Sequence, residues 1–179
     1  ILAIRMRSMH SFGAYVMSAA VAPLTFAVRF VPSVYNVPSF HGVNVAIFTN
    51  TCPTGPYRGA GRPEATYVCE RLIDQAAHEL GLNSAELRRR NLIRPDQLPF
   101  STHTGFVYDS GNFPDLLEKA LRLSDEEGYP LRKGESSTKG LLRGRGIGFF
   151  IEQGGIFNDK MTLRFDASGG LTILSGLHS

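Results

Sequence analysis

The sequence predicts an α+β fold, and three stretches of it carry most of that prediction. Apolar residues recur at three-and-four spacing over 65–80, which is typical of one face of a helix. Residues 43–49 (VNVAIFT) are rich in β-branched side chains and indicate a buried strand. Residues 160–165 and 171–175 flank a glycine-containing turn and indicate a β-hairpin. Strands and helices mix without strict alternation, so the predicted class is α+β.

The other elements follow from local patterns along the chain. Pro63 suits the first turn of the long helix, where its missing N–H costs nothing, and Gly81 is expected to end that helix. A second helix is expected to begin at Asn83, with Glu86 as its capping-box partner. Further predictions are a strand over 1–7, a short helix within 16–30, a loop over 97–112, a helix over 113–127, an exposed connection over about 128–145 and a strand over 146–153.

Composition limits the classes of protein. The 179 residues suffice for one domain, 1–179, and 42% hydrophobic with 20% charged residues is an ordinary globular balance. A net charge of +3 permits an anionic ligand but is too small to indicate nucleic-acid binding. Two cysteines do not indicate a disulfide scaffold, so a reducing, cytoplasmic location is expected. No apolar run is long enough for a membrane span.

Both ends of the sequence lie inside predicted strands, which leads us to expect a fragment of a larger domain.

The segment 50–64 is the candidate site. It runs from the strand at 43–49 through TGPYRGAGRPE into the long helix. Gly59, Ala60 and Gly61 place little bulk on the backbone, so N–H groups can approach a ligand closely. The helix N-terminus adds free donors, and Arg58 and Arg62 bracket the loop with guanidinium groups suited to oxyanions. The alternative is a tight strand-to-helix turn with two solvated arginines. The loop matches neither a P-loop nor GxGxxG.

These residues resemble a known family. GPYRGAGRPEA, followed by ExxIDxAAxELGL and AELRRRNLI, is similar to the large, molybdenum-binding subunit of the xanthine dehydrogenase/aldehyde oxidase family of molybdenum hydroxylases. FGAY at 12–15, TNTCPTGPYRG at 49–59, YDSGNF at 108–113 and RGIGFFIE at 145–152 have the same order and spacing. The resemblance covers nearly the whole chain and is closest to the bacterial carbon-monoxide-dehydrogenase-like or aldehyde-oxidase-like branch.

The resemblance implies a fold, a cofactor and partners. It implies part of a molybdenum-cofactor-binding domain, with Arg58, Gly59, Ala60 and Gly61 beside a molybdenum pterin cofactor (in its cytosine dinucleotide form) and Arg62 in support. The pterin holds the metal, so no protein metal ligands are expected. The activity implied is oxidation of an aldehyde or heteroaromatic small molecule with water as the oxygen source. Electrons would pass through iron–sulfur clusters to FAD on partner subunits or domains, in an assembly that dimerises.

Departures from the family pattern narrow the chemistry. Carbon monoxide dehydrogenases carry a copper-binding cysteine at the position that matches Gly59, so copper–molybdenum chemistry is not expected. Purine-hydroxylating relatives have phenylalanine at the position that matches Ala60, so the stacking surface for a purine is missing. The catalytic glutamate of the family would lie C-terminal to residue 179. No catalytic residue is therefore expected within 1–179, and the fragment alone is expected to be inactive.

Two other functions remain open at this point: a non-catalytic truncated remnant, and a basic module that binds anions or nucleic acid through Arg58, Arg62 and the arginines at 88–90. Those last arginines are most simply a solvated helix face. Glu70 and Asp74 lie one helical turn apart, and three alternatives are open for them: paired catalytic carboxylates, a solvated helix face, or a local salt bridge with Arg71 or His78. The remaining titratable candidates are Glu152 as a structural carboxylate, Cys69 as a core residue, Cys52 as a loop thiol, and histidines at 10, 41, 78, 103 and 178 without metal spacing.

Overall fold

A parallel pair of strands and a helical layer organise the N-terminal half of the protein. The structure is a computed structural model that describes residues 1–154 and 160–176. Strand β1 (Ile4–Ser11) and strand β2 (Phe40–Ile47) pair in parallel over their full length, from Ile4 opposite Phe40 to Ser11 opposite Ile47. Helix α1 (Val21–Arg29) lies between them in sequence and packs against both β2 and the next helix. Parallel pairing requires such a crossover connection.

The long helix forms as the sequence predicts. Helix α2 (Arg62–Glu79) carries Pro63 in its first turn, and its buried face continues through Cys69 and Ile73. Leu80 closes it, and Gly81 adopts a φ of 63°, the left-handed conformation that glycine provides after a helix. Helix α3 (Ser84–Asn91) begins at Asn83, whose side chain accepts bonds from two backbone N–H groups. Only this half of the expected capping box forms, because the carboxylate of Glu86 binds Arg89 and Arg90.

Six more elements and a short 3₁₀ turn follow in the described part of the chain. They are the turn Pro95–Gln97, the two-residue strands β3 (Phe100–Ser101) and β4 (Val107–Tyr108), helix α4 (Phe113–Leu123), helix α5 (Tyr129–Thr138), and the antiparallel strands β5 (Met161–Phe165) and β6 (Leu171–Ser175). The hairpin predicted over 160–175 is thereby confirmed, with Phe165 opposite Leu171 at its turn. The α+β class is confirmed as well.

Three expectations about these elements were wrong. The loop predicted over 97–112 contains β3 and β4, and the connection predicted over about 128–145 contains α5, although most of that segment is exposed. Residues 146–153 form no strand: Phe149 is buried and Phe150 exposed, as in a strand, but no described segment pairs with this one. Alternation predicts a strand only where a neighbour supplies backbone hydrogen bonds.

The main core lies between α2 and the chain segments that cover it. Cys69, Ile73 and Ala77 of α2 pack with Tyr35, Leu117 of α4 and other buried residues, with Phe149 closing the cluster. Strand β2 is less buried than its sequence indicates, since Val43, Val45 and Ile47 remain 37–40% exposed. The residues that the structure describes cover only one face of the β1–β2 pair. Within residues 1–154 and 160–176, no helix is both long and apolar enough to cross a membrane.

Candidate functional site

The glycine loop between β2 and α2 adopts a backbone that few other sequences could follow. Gly59, Ala60 and Gly61 all have positive φ values, of 87°, 44° and 97°. Gly61 also approaches α1 so closely that an added Cβ would lie 2.2 Å from the carbonyl oxygen of Pro23. Only glycine meets both demands at this position. The loop is therefore held in one shape by its contact with α1.

This loop lines an open cleft of about 320 Å³. The cleft lies where the C-terminal end of β1, the first turn of α1 and the start of α2 meet. Its size is at the lower end of the range for small-molecule sites. Its walls are His10, Pro23, Thr54, Gly55, Tyr57, Arg58, Ala60, Gly61, Pro63 and Glu64.

The two arginines that bracket the loop have different surroundings. Arg62 is buried, and its Nε lies 2.9 Å from Oε1 of Glu152, an ion pair without hydrogen-bond geometry. Its Nη1 donates to the carbonyl oxygen of Gly59 at 3.2 Å, and its guanidinium lies 4.5 Å and 4.9 Å from the ring centres of Phe26 and Phe30. Arg62 therefore presents no open cation to the cleft, and the alternative of a solvated arginine is wrong for this residue. It supports the loop from beneath.

Arg58 keeps its guanidinium available. It is exposed, it lines the cleft, and it forms no hydrogen bond or ion pair with any residue in the described part of the chain. The backbone N–H groups of Gly59 and Gly61 likewise donate to no described acceptor. These donors and the N-terminus of α2 attract anions, while the carboxylate of Glu64, which also lines the cleft, offsets part of that attraction. The arrangement suits an anionic or oxygen-rich group.

Sequence reasoning missed several residues of the cleft lining, and of these His10 and Pro23 lie outside the candidate segment 50–64. His10 belongs to β1, more than forty residues before the loop, and nothing local in the sequence links it to Arg58. Tyr57 and Glu64 lie within the candidate segment, but the emphasis on glycines and arginines left them out. The usable signal for His10 is its position near the end of a strand that pairs in parallel with β2. The carboxyl ends of parallel strands meet at one edge, and the loop after β2 begins at that edge.

A second polar cluster lies in the core, away from the cleft. The side chain of Arg88 is fully buried; its Nη2 lies 2.7 Å from Oε2 of Glu70, and its Nη1 lies 2.8 Å from Oδ1 of Asp74. Tyr35 donates to the other oxygen of Glu70 at 2.7 Å, and Arg88 also donates to the carbonyl oxygen of Ile147 at 2.7 Å. The predicted solvated face was wrong for Arg88. The carboxylates at 70 and 74 form structural salt bridges rather than an open pair.

The pKa shifts in this cluster agree with a structural role. Burial and the adjacent Glu70 carboxylate raise the pKa of Tyr35, so its hydroxyl stays protonated as a donor. Partial burial alone would raise the pKa of Asp74, but hydrogen bonds from Ser84 and Arg88 and the charge of Arg88 lower it below its ordinary value. The buried polar atoms of these residues are thus matched to one another.

The cysteines and histidines give no metal site among the residues that the structure describes. Cys69 is buried in the core, as predicted, and burial, with the Glu70 carboxylate, raises the pKa of its thiol to about 12. Cys52 is a free, exposed loop thiol. No group of three or more potential ligand side chains comes together in residues 1–154 and 160–176. His178 lies outside the described residues.

Comparisons with known proteins identify the family. Residues 1–92 match the model of the molybdopterin cofactor-binding domain. The nicotine 6-hydroxylase large subunit of Paenarthrobacter nicotinovorans is 31% identical over 82% of this chain and 19% of its own length. The carbon monoxide dehydrogenase large chain of Hydrogenophaga pseudoflava is 36% identical over 71% of this chain and 16% of its own. The chain thus spans about a fifth of the length of these curated relatives.

Solved structures agree with the fold. Quinoline 2-oxidoreductase from Pseudomonas putida 86 superposes with a TM-score of 0.83 at 27% identity, over 99% of this chain and 25% of the other. The aldehyde oxidoreductase from Desulfovibrio desulfuricans superposes with a TM-score of 0.77 at 23% identity, over 96% of this chain and 19% of the other, which supports the fold alone. The chain belongs to the molybdopterin cofactor-binding domain family of molybdenum hydroxylase large subunits.

Proposed function

We propose that this chain forms part of a molybdenum-dependent hydroxylase and that the cleft beside the glycine loop faces the molybdenum pterin cofactor. The observation that carries the proposal is the free guanidinium of Arg58 in a cleft of about 320 Å³ whose lining belongs to the family-matched residues 1–92. An arginine that has no partner among the described residues and shortly precedes a helix N-terminus is suited to binding oxygen atoms of a ligand.

The residues of the cleft fit such a cofactor. Arg58 and the free N–H group of Gly61 would bind and orient oxygen atoms, while Ala60 would form part of the pocket wall; Gly59 lies outside the lining and would shape the turn between them. Arg62 would act indirectly, because its guanidinium holds the carbonyl oxygen of Gly59 and is itself fixed by Glu152. When bound, the molybdenum centre supplies a Lewis acid and a two-electron acceptor for hydroxylation with water as oxygen source.

An aldehyde or a heteroaromatic compound is the proposed substrate. Ala60 offers no ring for stacking on a purine, and the cleft suits a molecule of one or two rings. Copper-dependent oxidation of carbon monoxide is not proposed. A cysteine at position 59 would need a Cβ that lies 2.7 Å from Cδ of Pro63, on a backbone with a φ of 87°. The loop as folded has no room for that side chain.

The proposal extends to the cofactor form, the partners and the location. We propose the cytosine dinucleotide form of the pterin, iron–sulfur and FAD subunits or domains as electron acceptors, and a dimeric assembly. The catalytic base is proposed to lie C-terminal to residue 179, so that this single-domain segment, 1–179, is inactive alone. The free thiols of Cys52 and Cys69 support a reducing, cytoplasmic compartment.

The two alternatives are a non-catalytic remnant and a basic nucleic-acid-binding module. The module would need Arg62 and Arg88 on the surface, but both are buried and paired with carboxylates. The surface arginines left to bind nucleic acid would be Arg58, Arg89 and Arg90, and the last two are paired with carboxylates as well. The structure therefore disfavours this alternative. Metal analysis of the natural polypeptide distinguishes a non-catalytic remnant from an enzyme.

The test is metal analysis of the natural polypeptide that carries this sequence, purified from its host and weighed intact by mass spectrometry. We expect about one molybdenum atom per polypeptide and turnover in a screen of aldehydes and N-heteroaromatic compounds. A pure, folded polypeptide without molybdenum would contradict the proposal and favour the remnant. Molybdenum without turnover of either class would leave the cofactor proposal standing and contradict the substrate proposal.

A further inference from the structure

Tyr57 presents an exposed aromatic side chain at the cleft. The residue is 84% exposed, and it belongs to the cleft lining. Its hydroxyl forms no hydrogen bond, and its ring forms no stacking or cation–π contact, with any residue in the described part of the chain. An aromatic ring gains free energy when a ligand or another part of the protein covers its faces. The cleft lining thus contains a large apolar surface that the described residues leave uncovered.

A tight turn fixes the position of Tyr57 relative to Ala60. The backbone N–H of Ala60 donates to the carbonyl oxygen of Tyr57 at 2.8 Å, so residues 57–60 form a hydrogen-bonded turn. Its third residue, Gly59, has a φ of 87°, as a type II turn requires. The first and last Cα atoms of such a turn lie less than about 7 Å apart. Tyr57 and Ala60 are therefore neighbours in the cleft wall, and the methyl group of Ala60 occupies little of the space beside Tyr57.

The rest of the lining combines apolar surface with the Arg58 cation. Pro23 of α1 and Pro63 of α2 also line the cleft and add apolar surface. Arg58 follows Tyr57 directly in the turn and has no described partner. Small-molecule sites commonly pair apolar and aromatic walls with a few polar groups that fix the orientation of the ligand. The lining therefore suits a flat, largely apolar molecule with a polar atom at its edge.

We propose that Tyr57 is a specificity-determining residue of this cleft and stacks on the planar ring of a ligand whose polar edge is bound by Arg58. This inference rests on the proposed function and narrows its substrate class to compounds with an aromatic ring. A guanidinium N–H donates to a ring nitrogen or to a carbonyl oxygen. An aliphatic aldehyde leaves the ring of Tyr57 in water. A planar heteroaromatic ring is present both in such a substrate and in the pterin of the cofactor.

The test compares three variants of the natural polypeptide. Tyr57→Ala removes the ring, Tyr57→Phe keeps the ring without its hydroxyl, and Tyr67→Ala is the matched control. Tyr67 is a 69% exposed tyrosine on α2 that lies outside the cleft. For each variant, KM and kcat are measured with quinoline, benzaldehyde and butanal; the two aldehydes share a reacting group, and only benzaldehyde has an aromatic ring. Molybdenum content, pterin content and unfolding free energy are measured in parallel.

The expected result depends on which ring Tyr57 covers. If it stacks on the substrate, Tyr57→Ala raises the KM of quinoline and of benzaldehyde roughly five- to hundredfold and leaves that of butanal unchanged. If it stacks on the cofactor, Tyr57→Ala lowers the pterin and molybdenum contents, and the KM values of the loaded fraction are unchanged. Tyr57→Phe stays close to the unaltered protein in both cases, because the ring and not the hydroxyl makes the contact.

Two results for Tyr57→Ala overturn the inference. One is a match with Tyr67→Ala both in cofactor content and in the ratio of the benzaldehyde KM to the butanal KM. The other is an equal rise of all three KM values with a larger loss of unfolding free energy than in Tyr67→Ala, because the ring then packs against protein rather than a ligand.

The failure of this inference is distinguishable from that of the proposed function. Absence of molybdenum from the unaltered polypeptide refutes the proposed function, and this inference with it. A molybdenum-loaded polypeptide that turns over butanal but neither aromatic compound, and whose cofactor content is unchanged in Tyr57→Ala, leaves the proposed function standing and contradicts this inference alone.

Discussion

Arg58 and Arg88 show how differently one residue type serves two regions of this molecule. Arg88 is fully buried and binds Glu70, Asp74 and the carbonyl oxygen of Ile147, so α2, α3 and the segment at 147 are held together by one guanidinium. Arg58 is exposed in the cleft and has no described partner. A charge whose bonds are all made inside the protein stabilises the fold. A charge left free in a preformed cleft is available to a ligand.

The backbone is regular around Arg88 and strained around Arg58. Around Arg88, regular helices supply the scaffold, and one side chain connects them. Around Arg58, three successive residues hold positive φ values, and the loop depends on Arg62 and on the contact of Gly61 with α1. Such sparsely populated conformations persist only where the surroundings enforce them, and they are concentrated at functional sites. Substitutions in the two regions should therefore change stability by different amounts.

Replacement of Arg88 by methionine is expected to have the largest effect. It leaves the Glu70 carboxylate buried without its cation, and loss of one partner of a buried ion pair costs about 3–5 kcal/mol of unfolding free energy. Chemical denaturation monitored by circular dichroism measures this. Arg90→Met is the control, because Arg90 is exposed and paired with Glu86 on the surface, where the expected loss is below about 1 kcal/mol. Equal losses in the two variants would show that the buried network is not the stronger one.

Alanine at Gly61 is expected to come second. Gly61 and Gly140 both have positive φ, so alanine at either position carries a conformational cost of about 1–2 kcal/mol. At Gly61 the new Cβ also meets the carbonyl oxygen of Pro23 at 2.2 Å, whereas at Gly140 nothing lies within 4 Å. Gly61→Ala should therefore lose about 1–3 kcal/mol more than Gly140→Ala in the same denaturation experiment. Equal losses would mean that the loop does not need its contact with α1.

The acid dependence of stability gives a smaller effect. The pKa of Asp74 is lowered in the folded protein below its ordinary value of 3.8, so the contribution of its carboxylate to stability is complete at neutral pH and is lost as pH falls below about that value. Asp74→Asn removes a charged partner of Arg88 and should be less stable at pH 7, with a flatter stability profile below pH 4. Denaturation at a series of pH values checks this. A slope in acid identical to that of the unaltered protein would exclude Asp74 as a contributor.

The spacing of apolar residues, and the prolines and glycines at the ends of elements, predict much of this fold. The long helix, its start at Pro63, its stop at Gly81 and the hairpin around 166–170 all depend on local patterns, and all form as predicted. The strand predicted at 146–153 failed because pairing depends on a neighbour that a local pattern does not reveal. Helix α5 was missed because Pro130 and Gly134 weaken its helical pattern, although the proline falls in its first turn, where it is tolerated.

The candidate site was predicted in its loop and missed in its surroundings. Glycine spacing and the strand-to-helix transition pointed to residues 58–61. In the structure Arg58, Ala60 and Gly61 line the cleft, whereas Gly59 does not. The inward position of Arg62 depends on Phe26, Phe30 and Glu152, which lie 32 to 90 residues away in sequence. His10 reaches the cleft only through parallel pairing of β1 with β2. Such distant contacts leave no trace in a local pattern.

The variant Arg58→Ala in the natural polypeptide tests whether the Arg58 cation serves a ligand rather than the fold. Its unfolding free energy and its turnover are both measured relative to the unaltered protein. We expect the unfolding free energy to change by less than about 0.5 kcal/mol, because Arg58 binds no described residue. We expect turnover per molybdenum to fall about a hundredfold or more, because a positioned cation is lost from the cleft. Near-normal turnover would contradict the claim, and so would a loss of stability as large as that of Arg88→Met.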